Sequence, residues 1–236
     1  MPARSRPLAQ TRLRRRAAAR RLAYLAVAAL WVLAVWLAPA GPQARGAAAE
    51  SAPEPVIVFL GDSLTAGYGL PEEDSYPALI QERLRAEGSA YRVVNAGVSG
   101  DTSAGGLARM DWLLRGRMDV LIVALGGNDG LRGLSPEALE RNLEAIIAKG
   151  RAAGAQVVLA GMRMPGNYGR DYTRRFQAVY PALAKRHQLP LIPFLLEGVA
   201  LRPDLNQSDG IHPTAAGARI VADTVWKTLQ PLLKAP

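Results

Sequence analysis

Cysteine is absent from the 236-residue chain, which removes disulfide scaffolds, thiolate zinc sites and cysteine nucleophiles together. Histidine is scarce: His187 and His212 are the only two. They lie far apart and outside any HExxH helix, a poor ligand set for a hydrolytic zinc. No Gly-Lys pair occurs, so P-loop phosphate chemistry has no support. The 23 Gly and 17 Pro follow no period, which excludes collagen, and 49% hydrophobic with 21% charged residues excludes a disordered chain. Any catalysis must therefore use oxygen or nitrogen side chains, or a bound cofactor.

Acidic residues are missing from one stretch in particular. The chain has a formal charge of +9, yet residues 1–49 carry nine Arg and no acid, whereas residues 50–236 carry 20 basic and 20 acidic residues. Eight of those Arg, from Arg4 to Arg21, precede an uncharged run from Leu22 to Ala38 that contains Trp31 and Trp36. A basic end, an apolar run and then small residues are the layout of an export signal. Ala38-Pro39-Ala40 or Ala47-Ala48-Ala49 would supply the cleavage site. An uncleaved anchor is the alternative, because 17 apolar residues lie at the lower edge of a membrane span. Either way the Arg-rich end stays cytoplasmic and the rest crosses. A nucleic-acid reading of the Arg cluster leaves the apolar run unexplained, and Leu-Ala-Tyr-Leu after Arg20-Arg21 fits twin-arginine export poorly. The expected division is residues 1–49 as signal peptide or anchor plus linker, and residues 50–236 as one domain.

Within that domain, short runs rich in β-branched residues recur at Val56–Leu60, Tyr91–Val94, Val120–Leu125, Gln156–Ala160 and Leu189–Phe194. Stretches with helical spacing separate them. Ser75–Glu87 places Leu79, Ile80 and Leu84 on one face. Ser135-Pro136-Glu137 reads as an N-cap followed by Pro in the first turn, with Leu139, Leu143, Ile146 and Ile147 as the apolar stripe and Gly150 or Gly154 as the stop. A last helix from about Thr214 turns Ile220, Val221, Val225 and Leu229 inward. Five strands alternating with helices predict an α/β fold, a three-layer α/β/α sandwich around a five-stranded parallel sheet.

Ligands of such sheets bind outside the carboxyl ends of the strands. The segments there are Gly61-Asp62-Ser63-Leu64, Asn95 to Asp101, and Gly126-Gly127-Asn128-Asp129, with Asp209-Gly210-Ile211-His212-Pro213 after an irregular stretch. Ser63 is a candidate nucleophile, although a lone Ser in this position is more often a helix cap. The Gly-x-Ser-x-Gly elbow of α/β-hydrolases is absent, because Thr65 stands where the second Gly would be. His212 is the better general base: Asp209 precedes it by three residues in the same loop, while His187 sits at a helix end and suits a solvated or capping role. Gly100 can bring a backbone N–H close to a substrate, and Asn128 offers a side-chain NH₂. Asp62, Asp101 and Asp129 read as turn-shaping groups.

Gly61-Asp62-Ser63-Leu64, Gly100 within Ser99 to Ser103, Gly127-Asn128-Asp129 and Asp209 to Pro213 resemble, in order, the four blocks of the SGNH (GDSL-type) hydrolases. The longer strings Gly61 to Gly69 and Gly126 to Gly133 are similar to the periplasmic multifunctional branch of acyl-CoA thioesterases, lysophospholipases and arylesterases. Pro165-Gly166-Asn167-Tyr168-Gly169 resembles a further segment of that branch, near the mouth of the site. The resemblance covers residues 56–232. It implies a flavodoxin-like SGNH fold and a serine esterase or thioesterase acting on aryl esters, acyl thioesters or lysophospholipids. By position it makes Ser63 the nucleophile, His212 the base and Asp209 its orienting group. The oxyanion hole is then Ser63 N–H, Gly100 N–H and the Asn128 side chain. It implies neither metal nor cofactor, and no nucleic-acid partner. The substrate is expected to be a small-molecule or lipid acyl ester, handled by a monomer that meets membrane only through its N-terminal segment, in the bacterial periplasm or anchored to the inner membrane. Tyr68, Met164 and Tyr168, with Leu70 and Leu201, are candidates to lie along an acyl chain. Rival readings are a carbohydrate acetylesterase on the same fold and a non-catalytic binding module.

Overall fold

The structure is a computed structural model that describes residues 53–233; the export signal expected within residues 1–49 lies outside the described residues. Five parallel strands form one sheet in the order β2-β1-β3-β4-β5: β1 Val56–Gly61, β2 Arg92–Gly97, β3 Val120–Ala124, β4 Gln156–Ala160 and β5 Leu191–Ile192. Every residue of β1 and β3 is buried, as expected of strands covered on both faces. The helices are α1 Ser63–Ala66, α2 Tyr76–Ala86, α3 Ser103–Leu113, α4 Gly127–Leu131, α5 Pro136–Ala152, α6 Arg170–His187 and α7 Ala215–Leu229. The chain leaves β1 for β2 on one side and then crosses back to β3, β4 and β5. Right-handed crossovers therefore place α2 on one face and α3, α5 and α6 on the other. The long α7 returns to pack against α2, and α3, α5 and α6 pack in series.

Caps agree with the sequence pattern. Ser75, Ser135 and Thr214 each accept a hydrogen bond from a backbone N–H of the first turn of α2, α5 and α7. Ile80, Leu84, Leu139, Leu143, Ile146, Ile147, Val221, Val225 and Leu229 are buried, while Leu79 and Ile220 are only partly so.

The boundaries differ in places for identifiable reasons. The ladder of β2 with β1 runs on to Gly61 opposite Gly97, so Asn95, Ala96 and Gly97 are strand rather than loop. β3 stops at Ala124, and β5 shrinks to two residues because Pro190 and Pro193 flank it and cannot donate to a ladder. Of the two expected stops Gly154 is the one used: α5 runs to Ala152 and Gly154 follows its cap with φ 84°, whereas Gly150 is buried inside the helix, where a Cβ would meet Leu121 at 2.8 Å. The bounds of α3 are obscured in the sequence by Gly105 and Gly106. Both are required by close approach: added Cβ atoms would meet the Asp101 carboxylate at 2.4 Å and Leu125 at 2.2 Å.

The strand order reverses between β1 and β3, so a crevice opens above their carboxyl ends. α1 begins on one side of that crevice and α4 on the other. Among the described residues no helix is long and apolar enough to cross a membrane.

Candidate active site

Ser63 is the first residue of α1, directly after β1. Asp62 caps this short helix, its carboxylate accepting from Leu64 N at 3.0 Å, and Gly67 closes it with a left-handed φ of 77°. The helix sits so close to the sheet edge that a Cβ on Gly97 would lie 2.3 Å from Ala66 N. That approach aims Ser63 into the crevice.

His212 arrives from 149 residues away and receives Ser63: its Nε2 is 2.8 Å from Ser63 Oγ. On the other side of the ring Nδ1 is 2.6 Å from Asp209 Oδ2. Asp209 Oδ1 accepts from the backbone N–H groups of Ile211 at 2.9 Å and His212 at 3.0 Å. These hydrogen bonds, from the backbone and then from the imidazole, pull the Asp209 carboxyl down to about 2. An ionised carboxylate only accepts, so the Nδ1 facing it carries a proton. In a neutral imidazole Nε2 is then bare and accepts from the Ser63 hydroxyl. The arrangement can move a proton from Ser63 to His212 without rearrangement of either side chain.

Gly100 and Asn128 line the same groove as Ser63. Gly100 adopts φ 83°, a conformation that favours glycine, and its carbonyl accepts from Arg132 at 2.8 Å. Asn128 Nδ2 donates to Asp101 O at 2.8 Å and lies 3.5 Å from Asp62 Oδ2. Asp62 is buried, and loss of water pushes its carboxyl up to about 6 despite the hydrogen bond from Leu64. Asp129, also buried, accepts from Ser103 N at 2.8 Å and from Ser103 Oγ at 2.5 Å. Asp101 pairs with Arg109. All three acids thus hold local structure, as their turn positions suggest.

The groove measures about 440 Å³, and its floor and walls are largely apolar, with Leu64, Met162, Met164, Phe194 and Leu196 among them. Tyr68 stands at the mouth with its ring centroid 4.6 Å from that of His212, and Leu201 is 87% exposed on the rim. Met164 is buried in the groove wall, against Gly130. Two expected contacts fall elsewhere. Leu70 faces a small neighbouring pocket. Tyr168 is not among the lining residues; its hydroxyl donates to Leu131 O at 3.2 Å, so it touches a residue that is. His187 is remote from the groove and pairs with Glu144 at the end of α6.

Two residues that sequence reasoning missed assemble the site. Gln207 Nε2 donates to Tyr68 O at 2.7 Å and to Pro213 O at 3.0 Å, and its N–H donates to His212 O, so it fastens the Ser63 loop to the His212 loop. Arg109 gathers carbonyls at the sheet edge. No spacing signal marks either, because most of their partners are backbone carbonyls, several of them distant in sequence.

Known proteins are similar to this chain in sequence and in fold. The GDSL-like Lipase/Acylhydrolase family model matches residues 59–220. The chain is 48% identical over 178 residues to Esterase TesA of Pseudomonas aeruginosa, an alignment covering 75% of this chain and 89% of that protein. It is 44% identical over 190 residues to Thioesterase 1/protease 1/lysophospholipase L1 of Escherichia coli strain K12, covering 80% and 88%. The crystal structure of TesA superposes with a TM-score of 0.73 at 47% identity, covering 75% of this chain and 99% of that one. The chain belongs to the GDSL-like lipase/acylhydrolase family of carboxylic ester hydrolases.

Proposed function

We propose that residues 50–236 form a serine hydrolase that cleaves aryl esters, acyl thioesters and lysophospholipids through an acyl-enzyme on Ser63. The observation that carries this reading is the continuous relay of Ser63 Oγ, His212 and Asp209 at 2.8 and 2.6 Å. As Ser63 Oγ bonds to the acyl carbon, its proton passes to His212 Nε2, and the imidazolium forms beside the ionised Asp209. The negative charge on the carbonyl oxygen falls to the N–H groups of Ser63 and Gly100 and to the Asn128 side chain. His212 then gives its proton to the leaving oxygen or sulfur as that bond breaks. Water repeats the sequence: its proton goes to His212, its oxygen to the acyl carbon, and Ser63 leaves with the proton returned.

The apolar groove supports an acyl chain over an acetylated sugar as substrate, with Tyr68 and Met164 as contacts. Every group in the scheme comes from one chain, so a monomer suffices. The names of the relatives, esterase and thioesterase/lysophospholipase, support the same substrate classes. Residues 1–49, with nine Arg and no acid ahead of an apolar run, support export to the periplasm. The test is a chain-length series of p-nitrophenyl esters on wild type and Ser63→Ala, with fluorophosphonate labelling of Ser63. Activity rising toward medium chains in the wild type and abolished in the variant supports the reading. Equal activity in both, or preference for acetylated sugars, overturns it.

A further inference from the structure

Arg109 lies on α3, outside the groove lining, yet its guanidinium reaches three separate parts of the site. Nε and Nη2 meet Asp101 Oδ2 at 2.8 and 2.7 Å. Nη1 donates to Ala96 O at 3.0 Å, near the end of β2, and Nη2 to Gly61 O at 3.4 Å, the last residue of β1. Gly61 O also accepts from Val98 N, and Asp101 N donates to Val98 O, so the turn bearing Gly100 is folded against the strand that delivers Ser63. Asp101 is the residue after Gly100, and its carbonyl receives Asn128 Nδ2 at 2.8 Å.

One cation is therefore tied, through Asp101, to both donors that lie outside α1: to Gly100 along the chain and to Asn128 through a carbonyl. Its other contacts fix that assembly to the edge two residues before Ser63. The planar fork is what makes this possible, since an ammonium offers one point charge and cannot span a carboxylate and two divergent carbonyls. Gly105 is what lets the Asp101 carboxylate approach α3 this closely, since an added Cβ there would stand 2.4 Å from Oδ1.

We propose that Arg109 is a positioning residue for the oxyanion hole: the Arg109–Asp101 pair holds Gly100 and Asn128 at the distance from Ser63 that the tetrahedral intermediate requires. The proposal rests on the acyl-transfer reading above. Misplacing such donors by about 1 Å costs on the order of 100-fold in rate. Binding of the acyl chain relies on the groove and is unaffected.

The experiment measures kcat and KM for a p-nitrophenyl ester in wild type, Arg109→Gln, Arg109→Lys, Asn128→Ala and the double variant Arg109→Gln/Asn128→Ala, each checked by thermal melting. Arg109→Gln is expected to lower kcat roughly 10- to 100-fold with KM within about twofold. In the Asn128→Ala background the same change is expected to cost clearly less than in the wild type, because one of the two donors it places is already gone and only Gly100 remains to be displaced. Arg109→Lys, which retains the charge but not the fork, is expected to recover only part of the loss. Should Arg109→Gln not fold, Asp101→Asn takes its place: it weakens the ion pair and keeps the carbonyl that holds Asn128. Kcat within twofold of wild type in a folded variant overturns the proposal, as does an equal fold-loss in both backgrounds or a loss confined to KM. An inactive wild type would instead refute the acyl-transfer reading itself, so the two failures are distinguishable.

Discussion

Asp62 separates the stability of the fold from the chemistry of its neighbour. The side chain is 2% exposed, and burial raises its carboxyl from an ordinary 3.8 to about 6. In the unfolded chain the group ionises near 3.8, so between about pH 4 and pH 6 the folded protein holds a proton that the unfolded chain has released. Stability is therefore greatest in acid on this account and falls as pH rises through 6. The full gap is worth about 3 kcal/mol at 1.36 kcal/mol per pH unit, and most of it is lost between pH 4 and pH 8. Asp62→Asn removes the titration and keeps an acceptor for Leu64 N, since Asn caps helices as well as Asp does. Thermal melts of both proteins at half-unit intervals from pH 4 to pH 8, at fixed ionic strength, isolate the contribution of this one group. The variant is expected to gain on the wild type across that range by about 2–3 kcal/mol, or roughly 5–10 °C in Tm for a domain of this size. Parallel curves would show that the buried carboxyl does not titrate between folded and unfolded states, and the assignment of its shift to desolvation would fall.

The other acid of the site behaves oppositely. Asp209 lies at about 2, held down by hydrogen bonds from the backbone and from His212, so its contribution is present above 3.8 and is lost only as pH falls toward 2. Asp209→Asn should lower kcat about 10⁴-fold, because a carboxamide that donates to Nδ1 selects the wrong imidazole tautomer; kcat within tenfold of wild type in a folded variant would contradict this. Gly97→Ala places a methyl group 2.3 Å from Ala66 N, and repacking should cost roughly 1–3 kcal/mol and displace Ser63, visible together as a lower Tm and a reduced kcat. Unchanged values of both would show that α1 has room to move. Cleavage near residue 49 should give a protein that focuses near neutral pH, because its 20 basic and 20 acidic residues cancel, whereas the whole chain has a pI of 10.3. Isoelectric focusing with an N-terminal mass on exported protein decides this, and a strongly basic mature form would argue for retention.

Much of the architecture could be read from apolar periodicity because buried parallel strands and amphipathic helices differ in period. β4 matches its expected bounds, and the capped starts of α2, α5 and α7 fall where Ser75, Ser135 and Thr214 stand. The misreadings share a cause. Gly97 and Gly150 look locally like breakers, but each is small because another element passes within contact distance. Local sequence records that the residue is small and not which neighbour requires it. Pro190 and Pro193 were the opposite case: their effect is local, and they shorten β5 as backbone chemistry demands.

The same distinction governs the site. Ser63, Asp209 and His212, which the structure brings together, could be proposed as a set because nucleophile, base and orienting acid must be particular residue types, and two of them share one loop. Gly100 and Asn128 followed from the need for donors at neighbouring strand ends. The residues that hold this set together were invisible for a physical reason. Gln207 acts on carbonyls of Tyr68 and Pro213, and Arg109, besides its ion pair with Asp101, on those of Ala96 and Gly61; every residue possesses a carbonyl, so those partners do not announce the pairing. Chemistry on side chains leaves a mark in sequence, whereas positioning through the backbone leaves it only in the fold. Tyr168 illustrates the limit: its motif placed it near the mouth, but its hydroxyl is turned to Leu131 O and it is not among the residues lining the groove. Its expected influence is on the shape of the groove, transmitted through Leu131 and not by contact with an acyl chain.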